Sequence, residues 1–348
     1  MNHDRVPRWR RSTVAVAAVA ALTLAACGGD DDTTSNSPAP SDSTGSGSGE
    51  TIGVVASFYP LQFVAGRVGG DLVDVTNLTP AGAEPHDLEL TPRDTAALQD
   101  ADLVVYLAGF TPAVDDAVAS VGTSQAFDVA PAARLDLEGG EEEHEEGEDH
   151  ADEDHADEEG EDHADEEHAD EHDHGGVDPH FWLDPTRLAD VADSFAVRLG
   201  ELAPDHAADF TANAVALRGE LEALDGEFET GLASCANTDI VTSHSAFGYL
   251  AQRYGLTQVG IAGLSPEEEP SPAKLGEVTE FVRDHDVSTI YYETLVDPAI
   301  AQTVADETGA ATAVLDPIEG LADQSAGSDY FEVMRSNLES LRTGQDCT

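Results

Sequence analysis

From residue 51 to about 137, short apolar runs rich in β-branched residues alternate with helix-like segments, and the alternation returns between 239 and 341. The runs at 52–56, 73–78, 103–107 and 126–129 predict four strands in the first half. Those at 240–242, 258–261, 289–292 and 312–315 predict four in the second. Strands that alternate with helices favour parallel sheets with both faces covered. The expected fold class is therefore α/β, with two lobes, 51–203 and 233–348, each carrying a four-stranded, mainly parallel sheet flanked by helices.

Between the lobes the period changes from two to 3.6. After Pro204 and Asp205, apolar residues recur at Phe210, Leu217, Leu221, Leu224, Phe228 and Leu232, which trace one helical face. One helix over 204–232 would be a rod of about 42 Å, long enough to join two lobes as a rigid linker. Two shorter helices broken near Gly219 or Gly226 are the alternative.

Three stretches carry no such pattern. Arg5, Arg8, Arg10 and Arg11 precede an uncharged run over 14–26, a basic region followed by an apolar one too short for a permanent span. Residues 1–26 thus read as an export signal. It ends in Leu24-Ala25-Ala26-Cys27, which resembles the lipobox of bacterial lipoproteins and makes Cys27 the lipid-anchored residue. Residues 27–50 then form a flexible tether without core-forming side chains, with a reach of about 26 Å. The body would stand on the outer face of the cytoplasmic membrane. The third stretch, 139–176, has no apolar residue larger than Ala before Val177 and reads as a disordered acidic insert in the first lobe.

Composition narrows the class of partner. A formal charge of −56 sets nucleic acid aside and favours cations. With Cys27 assigned to lipid, Cys235 and Cys347 remain as an even pair in an oxidising compartment, where a disulfide is the default. The insert holds seven of the thirteen histidines, His144, His150, His155, His163, His168, His172 and His174. Flexible ligands lose ordering entropy with each ion they hold, so this run is expected to be an accessory that gathers metal weakly. A solvated acidic spacer with incidental histidines is the plainer alternative.

In open parallel sheets ligands bind beyond the carboxyl ends of the strands. There stand His86 in "AEPHDLELTPRD", His180 in "DPHFWLDP", His244 in "HSAFGYLAQRYGL" and Asp316 in "LDPIEG". Three imidazoles and a carboxylate suit Zn²⁺ better than Ca²⁺ or Mg²⁺, which require more oxygens. These four segments, in order and spacing, resemble the signatures of the substrate-binding lipoproteins of zinc and manganese ABC importers. The resemblance covers residues 51–348 apart from the insert.

The resemblance implies a metal held between two lobes by His86, His180 and His244. It leaves the fourth ligand as Asp316 or, as alternatives, Glu293 or a water, with Glu84 in a supporting role. His at the third position points to zinc rather than manganese. The implied partners are an ABC permease with its cytoplasmic ATPase, and the membrane through the lipid anchor, for a chain that acts as a monomer. No metalloprotease, serine-hydrolase or NTPase motif is present. The expected protein is therefore no enzyme. The alternatives are a lipid-anchored zinc hydrolase, and a manganese-binding or adhesin-type relative.

Overall fold

The computed structural model describes residues 51–120, 122, 124–138 and 176–348. The export signal, Cys27, the tether, the acidic insert and its seven histidines lie outside the described residues. Those of the first half run β1 (Ile52–Ala56), α1 (Tyr59–Gly69), β2 (Val73–Asn77), α2 (Pro92–Asp100), β3 (Leu103–Tyr106), α3 (Pro112–Ser120), β4 (Ala126–Asp128) and the short α4 (Ala130–Ala133). Then α5 (Pro185–Leu202) and α6 (Ala207–Gly231) lead to β5 (Asp239–Thr242), α7 (Gly248–Tyr254), β6 (Thr257–Gly260), α8 (Pro272–Asp284), β7 (Thr289–Tyr292), α9 (Ala299–Thr308), β8 (Ala311–Val314) and α10 (Tyr330–Gly344). Among the described residues no helix is long and apolar enough to cross a membrane.

The strands form two sheets, ordered β2-β1-β3-β4 and β6-β5-β7-β8, with every pairing parallel. The two sheets repeat one topology, and the α/β class expected from the alternation is what the chain adopts. Alternate residues of each central strand point to opposite faces, and the core divides accordingly. Val54 and Ala56 of β1 join the large central core, whereas Val55 joins Leu98, Val104 and Val114 on the outer face. In the second sheet Ile240 and Tyr291 face the central core, and Val241 and Ile290 face α8 and α9.

The central core runs without a break from α1 and α5 through α6 to α7 and α10. α6 is one continuous helix, unbroken at Gly219 and Gly226, and the turn Pro204–His206 precedes it. Its apolar face, Phe210, Leu217, Leu221, Leu224 and Phe228, is fully buried. Near its start Asn213 Nδ2 donates to Val68 O (2.9 Å). Near its end Asp225 accepts from Arg253 Nε and Nη2 (2.9 and 2.6 Å) and from the Tyr254 hydroxyl (3.0 Å). These bonds tie α6 to α1 on one side and α7 on the other. A Cys235–Cys347 disulfide closes the C-terminus back onto the segment after α6.

Candidate metal centre

Each site residue lies on a loop or turn between elements. His86 lies on the loop between β2 and α2, which is pinned where Thr111 Oγ1 donates to Pro85 O (3.0 Å). Its ring packs edge-on against Phe110, with centroids 4.5 Å apart. His180 precedes the turn Phe181–Leu183, which leads into α5, capped by Asp184 accepting from Thr186 N. His244 follows β5, and its carbonyl accepts from Thr242 Oγ1 (2.6 Å) and Gln258 Nε2 (3.1 Å). Glu319 lies on the turn after β8.

The ligand atoms of His86, His180, His244 and Glu319 all lie within 4.8 Å of one another. Glu319 Oε1 stands 3.4 Å from His86 Nε2, 3.0 Å from His180 Nε2 and 3.4 Å from His244 Nε2. With bonds of about 2.0–2.1 Å to zinc, the edges of a tetrahedron are about 3.3 Å. The three separations match that edge. His180, His244 and Glu319 are fully enclosed, and His86 keeps 10% side-chain exposure. His244 Nε2 and Glu319 Oε2 have no hydrogen-bond partner although both are buried. Stranded polar atoms of this kind are costly, and a cation at the point shared with Glu319 Oε1 would satisfy His244 Nε2.

Two carboxylates hold the imidazoles from behind. Asp178 Oδ1 accepts from His180 Nδ1 (2.8 Å) and from the His180 backbone N–H (2.9 Å). Glu293 Oε1 lies 2.5 Å from His244 Nδ1 and accepts also from the Ser243 hydroxyl. With Nδ1–H given to a carboxylate, each ring turns its Nε2 toward Glu319, and the neutral ring that a metal requires has that nitrogen free. Gly248 is required here, because a Cβ at that position would collide with the Asp178 carboxylate.

Burial opposes charge on His180, but the hydrogen bonds to Asp178 and Glu319 outweigh it and raise the imidazole above its ordinary value. Burial works against His244 too, yet Glu293 and Glu319 hold it well above that value. Burial would raise Glu319, but the close approach of His180, His244 and His86 carries it well below the usual carboxylate range. Glu84 is pushed up to about 10, first by burial and then by the neighbouring Glu319. Without metal the surroundings thus favour charge on His180 and His244 around the buried Glu319 carboxylate, and a proton on Glu84.

The three histidines expected from sequence converge. Asp316, expected as the fourth member, does not join them. Its Oδ1 accepts from Ile318 N (2.8 Å) and its Oδ2 from Thr294 Oγ1 (2.7 Å), so both oxygens serve the turn. Glu293, the alternative, stands behind His244 rather than beside Nε2. Glu319, three residues after Asp316, takes the fourth place. It lies inside the same "LDPIEG" segment, and a second carboxylate there was the available signal. Asp178 is the other residue that sequence reading missed, two positions before His180 in "DPH".

The family described as "Zinc-uptake complex component A periplasmic" matches residues 54–344. The chain belongs to this family. Among curated relatives of this zinc-uptake component, the high-affinity zinc uptake system protein ZnuA of Bacillus subtilis is 36% identical over 339 residues, 96% of this chain and 97% of its own. The zinc-binding lipoprotein AdcA of Streptococcus pneumoniae is 37% identical over 304 residues, 85% of this chain and 56% of its own. The chain thus spans about half the length of AdcA. Among solved structures, the Zn(II)-bound ZnuA-like domain of that AdcA matches with TM-score 0.65 at 32% identity, covering 85% of this chain and 99% of the domain. The laminin-binding protein Lmb of Streptococcus agalactiae, described as having adhesin and metal-transporting activity, matches with TM-score 0.69 at 32% identity, over 85% of this chain and all of that one.

Proposed function

We propose that this chain captures Zn²⁺ outside the cytoplasmic membrane and delivers it to the permease of an ABC importer driven by a cytoplasmic ATPase. The ion is held between the two lobes by Nε2 of His86, His180 and His244 and by the Glu319 carboxylate. One observation carries the reading: three imidazole nitrogens from separate segments face one carboxylate oxygen at 3.0–3.4 Å, the edge length of a tetrahedral zinc site. Imidazole-rich, four-donor coordination favours zinc over manganese. Four protein donors also leave no open position for a reacting water, which favours carriage over hydrolysis. Cys27 anchors the chain by lipid, 27–50 serves as tether, and the monomer works with the acidic insert as a weak collecting surface.

Competition between zinc and manganese on the metal-free chain, with elemental analysis after dialysis, tests the reading. One tightly held zinc per chain is expected, lost in His244→Ala and kept when residues 141–174 are deleted. Loss of tight binding on deletion, with retention in His244→Ala, would move the main site to the insert.

A further inference from the structure

The turn that delivers Glu319 is unusually constrained, and its constraints converge on Asp316. After β8 the backbone of Asp316 is clamped by Asn337 of α10, which donates Nδ2 to Asp316 O (2.7 Å) and accepts Asp316 N–H on Oδ1 (2.9 Å). Pro317 follows, and its carbonyl accepts from the buried Trp182 Nε1 (2.7 Å). Ile318 then adopts φ +59°, although it is β-branched and fully buried in the central core. A β-branched residue in the left-handed region is a steric outlier that persists only where its surroundings impose it. Its N–H, which lies in the peptide plane that enters this inverted residue, donates to Asp316 Oδ1 at 2.8 Å. Asp316 Oδ2 is meanwhile fixed by Thr294 Oγ1 at 2.7 Å.

We infer that Asp316 is a positioning residue for the metal centre: its carboxylate fixes the peptide plane from which the inverted residue Ile318 departs, and so aims Glu319 at the three imidazoles. Were Ile318 to relax to an ordinary extended or helical conformation, the direction of the next residue would change, and Oε1 would leave the point shared by the three Nε2 atoms. The downstream chain cannot follow such a swing. Glu319 O accepts from Tyr59 N (3.4 Å), and a side chain at Gly320 would press on Ala83 O at 3.3 Å. Asp316 therefore acts through Glu319 and touches no metal.

This inference rests on the zinc-site reading, and a double-mutant cycle on the purified full-length chain separates the two. Zinc affinity is measured by competition with a chromophoric chelator for wild type, Asp316→Ala, Glu319→Ala and the double variant. Loss of a residue that orients a ligand typically costs 10- to 100-fold in metal affinity, and Asp316→Ala is expected in that range. In the Glu319→Ala background the same change should cost less than about threefold, because the residue it aims is gone. Asp316→Asn, which keeps an acceptor for Ile318 N–H, should recover most of the affinity.

Multiplicative losses in the cycle would overturn the inference and leave Asp316 a general stability residue. An Asn variant as weak as Ala would overturn it in favour of direct coordination. If Asp316→Ala gives no cooperative melt, Thr294→Val takes its place in the cycle, with a smaller loss that Glu319→Ala again abolishes. A wild-type chain that fails to hold one zinc would instead defeat the site reading itself.

Discussion

Asp178 offers the sharpest test of how the imidazoles are prepared. It is 3% exposed and satisfies two buried donors of His180, the backbone N–H at 2.9 Å and Nδ1–H at 2.8 Å. Asp178→Ala strands both. A stranded buried donor costs about 1–3 kcal/mol, and the ring escapes part of that by staying neutral, so the zinc-free chain should lose about 2–4 kcal/mol. Zinc binding should weaken a further 10- to 100-fold, about 1.4–2.7 kcal/mol, because nothing then selects the tautomer with Nε2 free. Asp178→Asn keeps a neutral acceptor, whose bonds are about half as strong as charge-assisted ones, and should lose less than about tenfold. Urea melts of the zinc-free variants, paired with chelator competition at pH 7.5, separate the two effects. An Ala variant that melts early but holds zinc within threefold of wild type would refute the orienting role. So would an Asn variant as impaired as Ala.

The remaining predictions concern protons and the covalent frame. His180 and His244 are raised, so their stabilisation of the zinc-free fold is present below the unfolded value near 6.5 and lost as pH climbs through the folded values. Glu84, raised to about 10, keeps its proton in the folded chain where the unfolded chain has shed it, and so loses stability across pH 4.5 to 10. The zinc-free Tm should therefore fall between pH 6 and pH 9, and a flat profile would show that these groups are uncoupled from folding. Zinc binding at pH 7 should release roughly one to two protons, readable as the buffer dependence of the calorimetric heat, and affinity should fall as pH drops from 7.5 toward 5. Equal affinity at pH 5 and 7.5 would contradict imidazole coordination. The Cys235–Cys347 bridge spans 112 residues, and on loop entropy alone Cys235→Ser with Cys347→Ser should cost about 5 kcal/mol. An unchanged urea midpoint would show that α10 docks equally well without it.

Much of the fold was legible because each central strand has one residue for the central core and the next for an outer face, as in Val54 against Val55, which the apolar runs report directly. The continuity of α6 was less so: Gly219 and Gly226 permit a break, and only tertiary bonds at both ends of the helix decide against it. The three histidines were legible because the segments that hold them, "AEPHDLELTPRD", "DPHFWLDP" and "HSAFGYLAQRYGL", resemble one family's signatures in order and spacing. The fourth member was not. Asp316 and Glu319 share one short segment, and which carboxylate faces the imidazoles depends on the backbone inversion at Ile318, which no pattern of polarity encodes.

The join between the lobes was equally hidden. Sequence suggested a helix as the connection, yet the site itself is stitched across the lobes. Trp182 Nε1 donates to Pro317 O (2.7 Å), the Tyr330 hydroxyl donates to Trp182 O (2.6 Å), and Tyr59 N–H reaches Glu319 O (3.4 Å). The tryptophan and tyrosine are fully buried in the shared core, so parting the lobes would strand these groups as well as expose apolar surface. The four converging donors come from positions 86 to 319, and this second seam beside α6 is what lets segments so distant in sequence meet within 4.8 Å. The residues that flank the acidic histidine run, Glu138 and Val177, meet in a bridge, and Asp178, next along the chain, accepts from His180 Nδ1 (2.8 Å).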